Sequence, residues 1–398
     1  MKINIIRGQN QIGGSIIEIS TDKTKIVFDV GINLDENEKI EIPQIEGLFC
    51  GEKKYDAVFV SHYHSDHIGL LDYIVKGIPV YMGERAFRIV EAANDYRGTQ
   101  CDFSPEFIYE NKPVLINDVK ITPILCDHSA FDSYMFLIEA DEKKILYTGD
   151  FRANGRLDYN NLLLKIPVVD ALIIEGTTLS REDVVQNIEE ETLEDIAVNA
   201  LSKHSGPAFV MMSAMNIDRL ITMSNVAKQT SRVFLEDIYT AKIAKASEES
   251  LLILDKNTRV FMTGGDKQYQ MLSEFDDIKI GKTAISKEKF LMCIRPSIRN
   301  YLSKLYEICS FEDGILFYGM WKGYLEQEDM KEFVDFMKSM GVKLHILHTS
   351  GHADEMTVEN LIKDISPKTI IPVHTENAKW FSKYEDVQIV FDCKNYCL

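Results

Sequence analysis

Four side chains able to bind a metal or move a proton stand in one short run, VSHYHSDHIGLL: His62, His64, Asp66 and His67. Imidazoles and carboxylates are the donors that zinc takes. An extended segment projects His62 and His64 to one side, while Asp66 and His67 are free to serve a second ion. Four such groups do not complete two sites, so further ligands must come from later in the chain. Candidates of the right type are His128 in CDHSAFDSYMFLIEA, Asp150 in YTGDFR and His374 in IIPVHTEN. A carboxylate such as Asp150 can bridge two cations, which an imidazole cannot. Singly, each has an ordinary explanation: a turn histidine, a turn-forming aspartate, a strand-end histidine. The HxHxDH run makes ligands of them.

Those residues need strand ends and loops to hold them, and the hydrophobic pattern supplies both. Short β-branched runs alternate with amphipathic helical patterns almost end to end, which predicts an α/β class. KIVFDVG, AVFVS, ILYTGD and DALIIEG read as strands, and LDYIVKG and ERAFRIVEAANDY as helices. From about residue 180 a regular alternation of strands and helices predicts a second, doubly wound domain. MTVENLIKDI and TIIPVH then give a closing helix and strand.

Composition narrows the function. The chain has 398 residues, 45% hydrophobic and 27% charged, which is enough for more than one core. With 44 Lys plus Arg against 62 Asp plus Glu, the net charge of -18 argues against a generally basic surface for duplex nucleic acid or an anionic membrane. No stretch approaches the roughly 18 apolar residues of a membrane span, and MKINIIRGQNQIGGS lacks a secretory core, so a cytoplasmic protein with no membrane partner is expected. The seven cysteines include no CxxC pair, which predicts reduced thiols. Cys393 and Cys397 are expected on a flexible, unpaired C-terminal end.

The ligand pattern resembles the metallo-β-lactamase fold: a strand-end aspartate (Asp29 in VFDVG), HxHxDH, a later histidine and a later bridging aspartate. Over two hundred residues separate Asp150 from His374, room for a whole inserted domain. That insertion is similar to the β-CASP nucleases, whose extra motifs have counterparts in Glu175 of IIEGTT, His352 of HTSGHAD and His374 of PVHTE. HTSGHA with PVHTE resembles the ribonuclease J group most closely, in a short form expected to lack its C-terminal domain and any preceding KH-like module. Glu175 stands where aspartate is more familiar, and PVHTE replaces PVHGE. The resemblance implies an αββα metallo-β-lactamase sandwich from residues 1–178 plus 346–398, with an α/β β-CASP domain inserted at 179–345.

By the same resemblance, His62, His64 and His128 would hold one zinc ion and Asp66, His67 and His374 the other, with Asp150 bridging; Mn²⁺ also suits such mixed donors. His352 would offset phosphoryl charge or protonate the leaving oxygen, with Glu175 orienting it. Asp29 would hold the histidine loop. Ser213, Ser350 and Gly351 are candidate phosphate contacts, Ser213 and Ser350 alternatively helix caps. His348 is either a phosphate contact or structural, His204 a solvated helix end and His345 a strand residue. Trp321, Tyr324, Arg295 and Arg299 are either a single-strand channel or ordinary packing and surface charge, the latter preferred one by one.

The implied activity is a two-metal phosphodiesterase hydrolysing single-stranded RNA, exo- or endonucleolytically. Within this group a final His, here His374, accompanies RNA rather than DNA. A homo-oligomer is admitted. The alternatives are a hydrolase of a small ester, lactone or thioester, a DNA-acting nuclease, and a binding subunit with a dead site. The last is opposed by all seven ligand positions being filled. With an acidic chain, affinity for RNA is expected from divalent ions and a few inward arginines.

Overall fold

The computed structural model describes residues 1–34, 40–181 and 186–398. They form two compact units: Met1–Asn94, Thr99–Asn187 and Gly351–Leu398 make the first, and Asp95–Gly98 with Ile188–Ser350 the second.

Among the described residues the first unit holds two seven-stranded sheets. One runs Tyr396–Cys397, Lys2–Arg7, Ile16–Ser20, Lys25–Phe28, Ala57–Phe59, Val80–Gly83, Glu106–Ile108. The other runs Gln388–Ile389, Thr369–Val373, Ala171–Glu175, Lys143–Tyr147, Ser133–Ala140, Val119–Cys126, Val114–Ile116. Apolar residues at alternate positions, such as Ile3 and Ile5 or Phe136 and Ile138, bury one shared core, in which Phe28, Phe59, Phe136 and Tyr147 pack ring against ring. A second core lies under the helix Glu355–Ile365, whose Val358, Leu361, Ile362 and Ile365 recur at helical spacing. The helix begins at Asp354, whose side chain accepts from Thr357 N. This is the expected αββα sandwich.

The second unit is a six-stranded, all-parallel sheet in the order Thr258–Phe261, Val233–Asp237, Phe290–Ile294, Ala208–Met211, Ile315–Tyr318, Lys343–Ile346. Parallel neighbours require crossovers, supplied by helices such as Ile217–Gln229, Arg299–Tyr306 and Glu328–Ser339. The chain leaves the first unit after Asn187 and returns at Gly351, so this unit is an insertion.

Two sequence expectations fail. LDYIVKG is not a helix: only Leu71–Tyr73 form a single 3₁₀ turn, because the chain is diverted by Gly77 at φ +88° before entering Val80–Gly83. The C-terminal end is not flexible either. Tyr396–Cys397 pairs with Lys2–Arg7, and Cys393 is fully buried with its N–H donated to Gln9 Oε1, so local pairing overrides end-fraying. All seven cysteines are free thiols. No helix among the described residues is long and apolar enough to cross a membrane.

Candidate metal centre

The predicted ligands arrive on loops at the strand ends of the first unit. His62 and His64 follow Ala57–Phe59, while Asp66 and His67 occupy the one-turn helix Ser65–Ile68. His128 follows Val119–Cys126, Asp150 follows Lys143–Tyr147, and His374 follows Thr369–Val373. Donor atoms of His62, His64 and His128 lie within 4.8 Å of one another, as do those of Asp66, His67 and His374. Asp150 belongs to two further sets, one with His62 and His67 and one with Glu175, His352 and His374. Its Oδ2 stands 3.7 Å from His62 Nε2, 3.3 Å from His67 Nε2 and 3.7 Å from His374 Nε2, a central position between the two triads.

Whether these residues fit metal ions can be judged from the donors. His67 Nε2 and Asp150 Oδ1 are buried without a hydrogen bond, and buried polar atoms are rarely left so. His128 Nδ1–H donates to Gly351 O at 2.5 Å, which leaves its Nε2 lone pair facing His64 Nδ1 at 3.2 Å. His67 Nδ1–H donates to Asp29 Oδ2 at 2.9 Å, turning its Nε2 toward Asp150. Lone pairs converging in a buried pocket repel unless a cation sits among them. The cluster fits metal ions, and the orienting partners are of the kind that metal-ligating histidines use.

The electrostatics agree. Burial, reinforced by the neighbouring imidazoles, holds the His62 and His128 pKa values well below 6.5 and brings His64 to about 4, so these rings are neutral ligands. Burial opposes charge on Asp66 and Asp150, yet His67 and His374 hold both carboxyls low, with His352 adding to Asp150. His67 differs: against burial, Asp150, Asp29 and Asp66 draw it well above 6.5, the pull of three carboxylates on a positive charge among them, which a bound metal ion would take over from the proton.

His352 is one-fifth exposed and donates from Nδ1 to Glu175 Oε2 at 3.0 Å; its Nδ1 is 3.6 Å from Asp150 Oδ2. Against burial, Glu175 and Asp150 raise its pKa. Glu175 is itself fixed by Phe151 N at 2.8 Å. The arrangement presents one imidazole edge beside the ligand cluster, able to donate a proton or a hydrogen bond there.

The other candidates fall elsewhere. Gly351 lies in the first unit, packed so closely on Ser129 that a Cβ would come within 2.3 Å of Ser129 Oγ. Ser213 and Ser350 belong to the second unit, and neither is a helix cap: Asn216 and Asp354 take that role. Arg295 is tied to Asp237 and lies over the Tyr239 ring at 4.9 Å, and Arg299 faces Glu332 at 3.7 Å and covers Phe336, so both follow the packing and surface-charge reading. Trp321 and Tyr324 pair edge to face at 5.5 Å and are partly exposed. His345 sits in Lys343–Ile346 as expected, and His348 Nδ1 contacts Gly319 O at 3.1 Å. His204 follows the helix Glu190–Ser202, with Nε2 3.4 Å from Pro207 O.

Residues 11–185 match the metallo-beta-lactamase superfamily, and residues 339–384 match the Zn-dependent metallo-hydrolase RNA specificity domain. The chain is 23% identical to Ribonuclease J of Helicobacter pylori (strain ATCC 700392 / 26695), over 94% of this chain and 56% of that one. To Ribonuclease J 2 of Streptococcus pyogenes serotype M3 it is 22% identical, over 94% and 70% respectively. The chain thus spans little more than half the length of the Helicobacter relative. A solved protein of unknown function from Enterococcus faecalis V583 shares the fold, with a TM-score of 0.80 at 17% identity over 99% of this chain and 98% of that one.

Within the first unit, sequence reasoning passed over several residues that build the site. Gly31 lets the ligand loop approach: a Cβ there would meet Asp66 O at 1.6 Å. Tyr147 donates to Asp29 Oδ2 at 2.6 Å, and Ser61 and Thr177 hydrogen-bond at the cluster's edge. Asn187 Nδ2 donates to His352 O at 2.9 Å. Gly31 had a signal, a glycine two places after the strand-end Asp29. The hydroxyls had none, since serine and threonine are common everywhere.

Proposed function

We propose that the chain is a metal-dependent phosphodiesterase that hydrolyses single-stranded RNA. The observation that carries the reading is the convergence of two donor triads on Asp150 with the His352–Glu175 pair alongside. The RNA-specificity match, which spans both His352 and His374, and the relatives named Ribonuclease J support RNA as substrate. We assign the first unit to a metallo-β-lactamase part and Ile188–Ser350 to a β-CASP insert, a few residues later at each boundary than the 179–345 expected from the sequence.

In this reading His62, His64 and His128 would hold one zinc ion and Asp66, His67 and His374 a second, and Asp150 would be a ligand available to both. When bound, such ions supply Lewis acidity and lower the pKa of water to near neutrality. The chain's own residues do the rest. Gly351 O and Asp29 aim His128 and His67, so the donors need little rearrangement. Glu175 holds His352 through Nδ1 and leaves Nε2 to face a scissile phosphate, where it offsets developing charge or hands a proton to the leaving oxygen.

The test is cleavage of labelled single-stranded RNA by zinc-replete protein, beside matched DNA and a panel of small esters, lactones and thioesters. RNA is expected to be cut, and His62→Ala or chelation to reduce cutting to background. Release of mononucleotides marks exonuclease action, and internal fragments mark endonuclease action. Zinc-replete protein that leaves RNA intact while turning over DNA or a small ester overturns the proposal.

A further inference from the structure

Two hydroxyl groups occupy matching places on opposite flanks of the ligand cluster. Asp29 Oδ2 accepts from His67 Nδ1–H and, at 2.8 Å, from Ser61 Oγ–H, and Ser61 Oγ lies 3.0 Å from His62 Nδ1. Glu175 Oε2 accepts from His352 Nδ1–H and, at 2.6 Å, from Thr177 Oγ1–H, and Thr177 Oγ1 lies 2.7 Å from His374 Nδ1. A hydroxyl has one hydrogen to give, and a carboxylate can only accept. Each hydroxyl therefore donates to its carboxylate and receives the imidazole Nδ1–H on its lone pair. Nε2 of His62 and of His374 is left as an acceptor. His374 Nε2 then faces Asp66 Oδ2 at 3.0 Å, two acceptors in contact that call for a cation between them.

We propose that Thr177 is a positioning residue, whose hydroxyl joins Glu175 to His374 so that one carboxylate sets the tautomer and ring orientation of both His374 and His352. Ser61 does the same for His62 from Asp29, and the repetition on two unrelated loops argues that the hydroxyl bridge is functional. Thr177 is buried in the 3₁₀ turn Thr177–Ser180, directly after Ala171–Glu175, and its Oγ1 also lies 3.2 Å from His374 O. Gly176 permits that turn, since a Cβ there would press on Thr375 at 3.1 Å. The proposal rests on the metal-dependent reading above.

The decisive experiment is zinc affinity of the full chain, measured by competition with a coloured chelator. It compares wild type with Thr177→Val, which keeps the shape, Thr177→Ala, which has less bulk, and Thr177→Ser, which keeps the hydroxyl. Circular dichroism checks folding first. Val and Ala are expected to lose roughly 10- to 100-fold in affinity for one of two zinc equivalents, with a fall in kcat for RNA, while Ser stays within about 3-fold of wild type. A folded Val or Ala variant that keeps both equivalents at wild-type affinity overturns the proposal, as does a Ser variant that loses as much as Val or Ala. If Val and Ala do not fold, the Ser variant decides, and weakened zinc binding there is the contrary result. Wild-type protein that binds zinc but spares RNA removes the nuclease reading alone; the zinc titration then judges Thr177 separately.

Discussion

Asp29 sits at φ +58°, a left-handed conformation uncommon outside glycine, and His374 shares it at φ +51°. Both stand directly after strands, Asp29 after Lys25–Phe28 and His374 after Thr369–Val373. Backbone strain of this kind persists where surrounding contacts over-determine it. For Asp29 those contacts are four donors: Ser61 N and Oγ, His67 Nδ1 and Tyr147 O–H. Tyr147→Phe removes one of them and is expected to lower stability by about 1–3 kcal/mol, read from denaturant unfolding. A second residue makes a pH prediction. Glu236 is fully buried in Val233–Asp237 with neither carboxylate oxygen hydrogen-bonded, and burial followed by the Asp237 charge pushes its pKa up to about 8. It stays neutral when folded and ionises near 4.5 when unfolded. Its contribution is therefore complete at pH 4, declines through pH 5–8 and is gone above, a change on the order of 5 kcal/mol. Unfolding of wild type should show that decline, and Glu236→Gln should flatten it; parallel pH curves would contradict the assignment.

At the scale of elements, the histidine loop depends on the closeness of two backbones. Val30 N bonds His67 O at 2.7 Å and Ile32 N bonds Ser65 O at 3.1 Å, with Gly31 between them against Asp66 O. Gly31→Ala must push these segments apart. It is expected to release zinc from the Asp66, His67 and His374 side first, visible as a drop toward half the wild-type metal content by elemental analysis. Such contacts mark where sequence reading ran out. HxHxDH, Asp150, His352 and His374 were legible because their residue types are rare and their chemistry narrow, and the alternation of strands and helices gave the two-part fold. LDYIVKG was misread because an apolar run of that length fits a helix or a turn equally, and only the next strand's position decides. For Ser213 and Ser350, read as phosphate contacts with helix capping as the alternative, the capping alternative fails because Asn216 and Asp354, a few residues on, take that role.

For the whole molecule, the charge of -18 sets how substrate must be held. Many acidic groups are neutralised locally, as in the buried Arg152–Asp127 and Arg219–Glu190 pairs, so these cations are engaged within the fold. RNA affinity should then fall only gently with salt. A plot of log affinity against log salt is expected to slope less steeply than about -3, given roughly 0.7 per phosphate neutralised. Chelation should weaken binding more than a doubling of salt does. A steep slope, measured by fluorescence anisotropy with zinc present, would mean a broad cationic track instead.

The stitch from Asn187 to His352 ties together the two points where the chain leaves the first unit and comes back. Between Asp150 and His374 a ribosome must make over two hundred residues, which takes roughly 10–40 s at ordinary speeds. For that interval the nascent chain displays His62, His64, His67, His128 and Asp150 with no His374 to close the set. The donor set is therefore complete only after the chain has returned at Gly351 and the strand Thr369–Val373 has been made, so the last part of the chain to be synthesised is the part that closes the site.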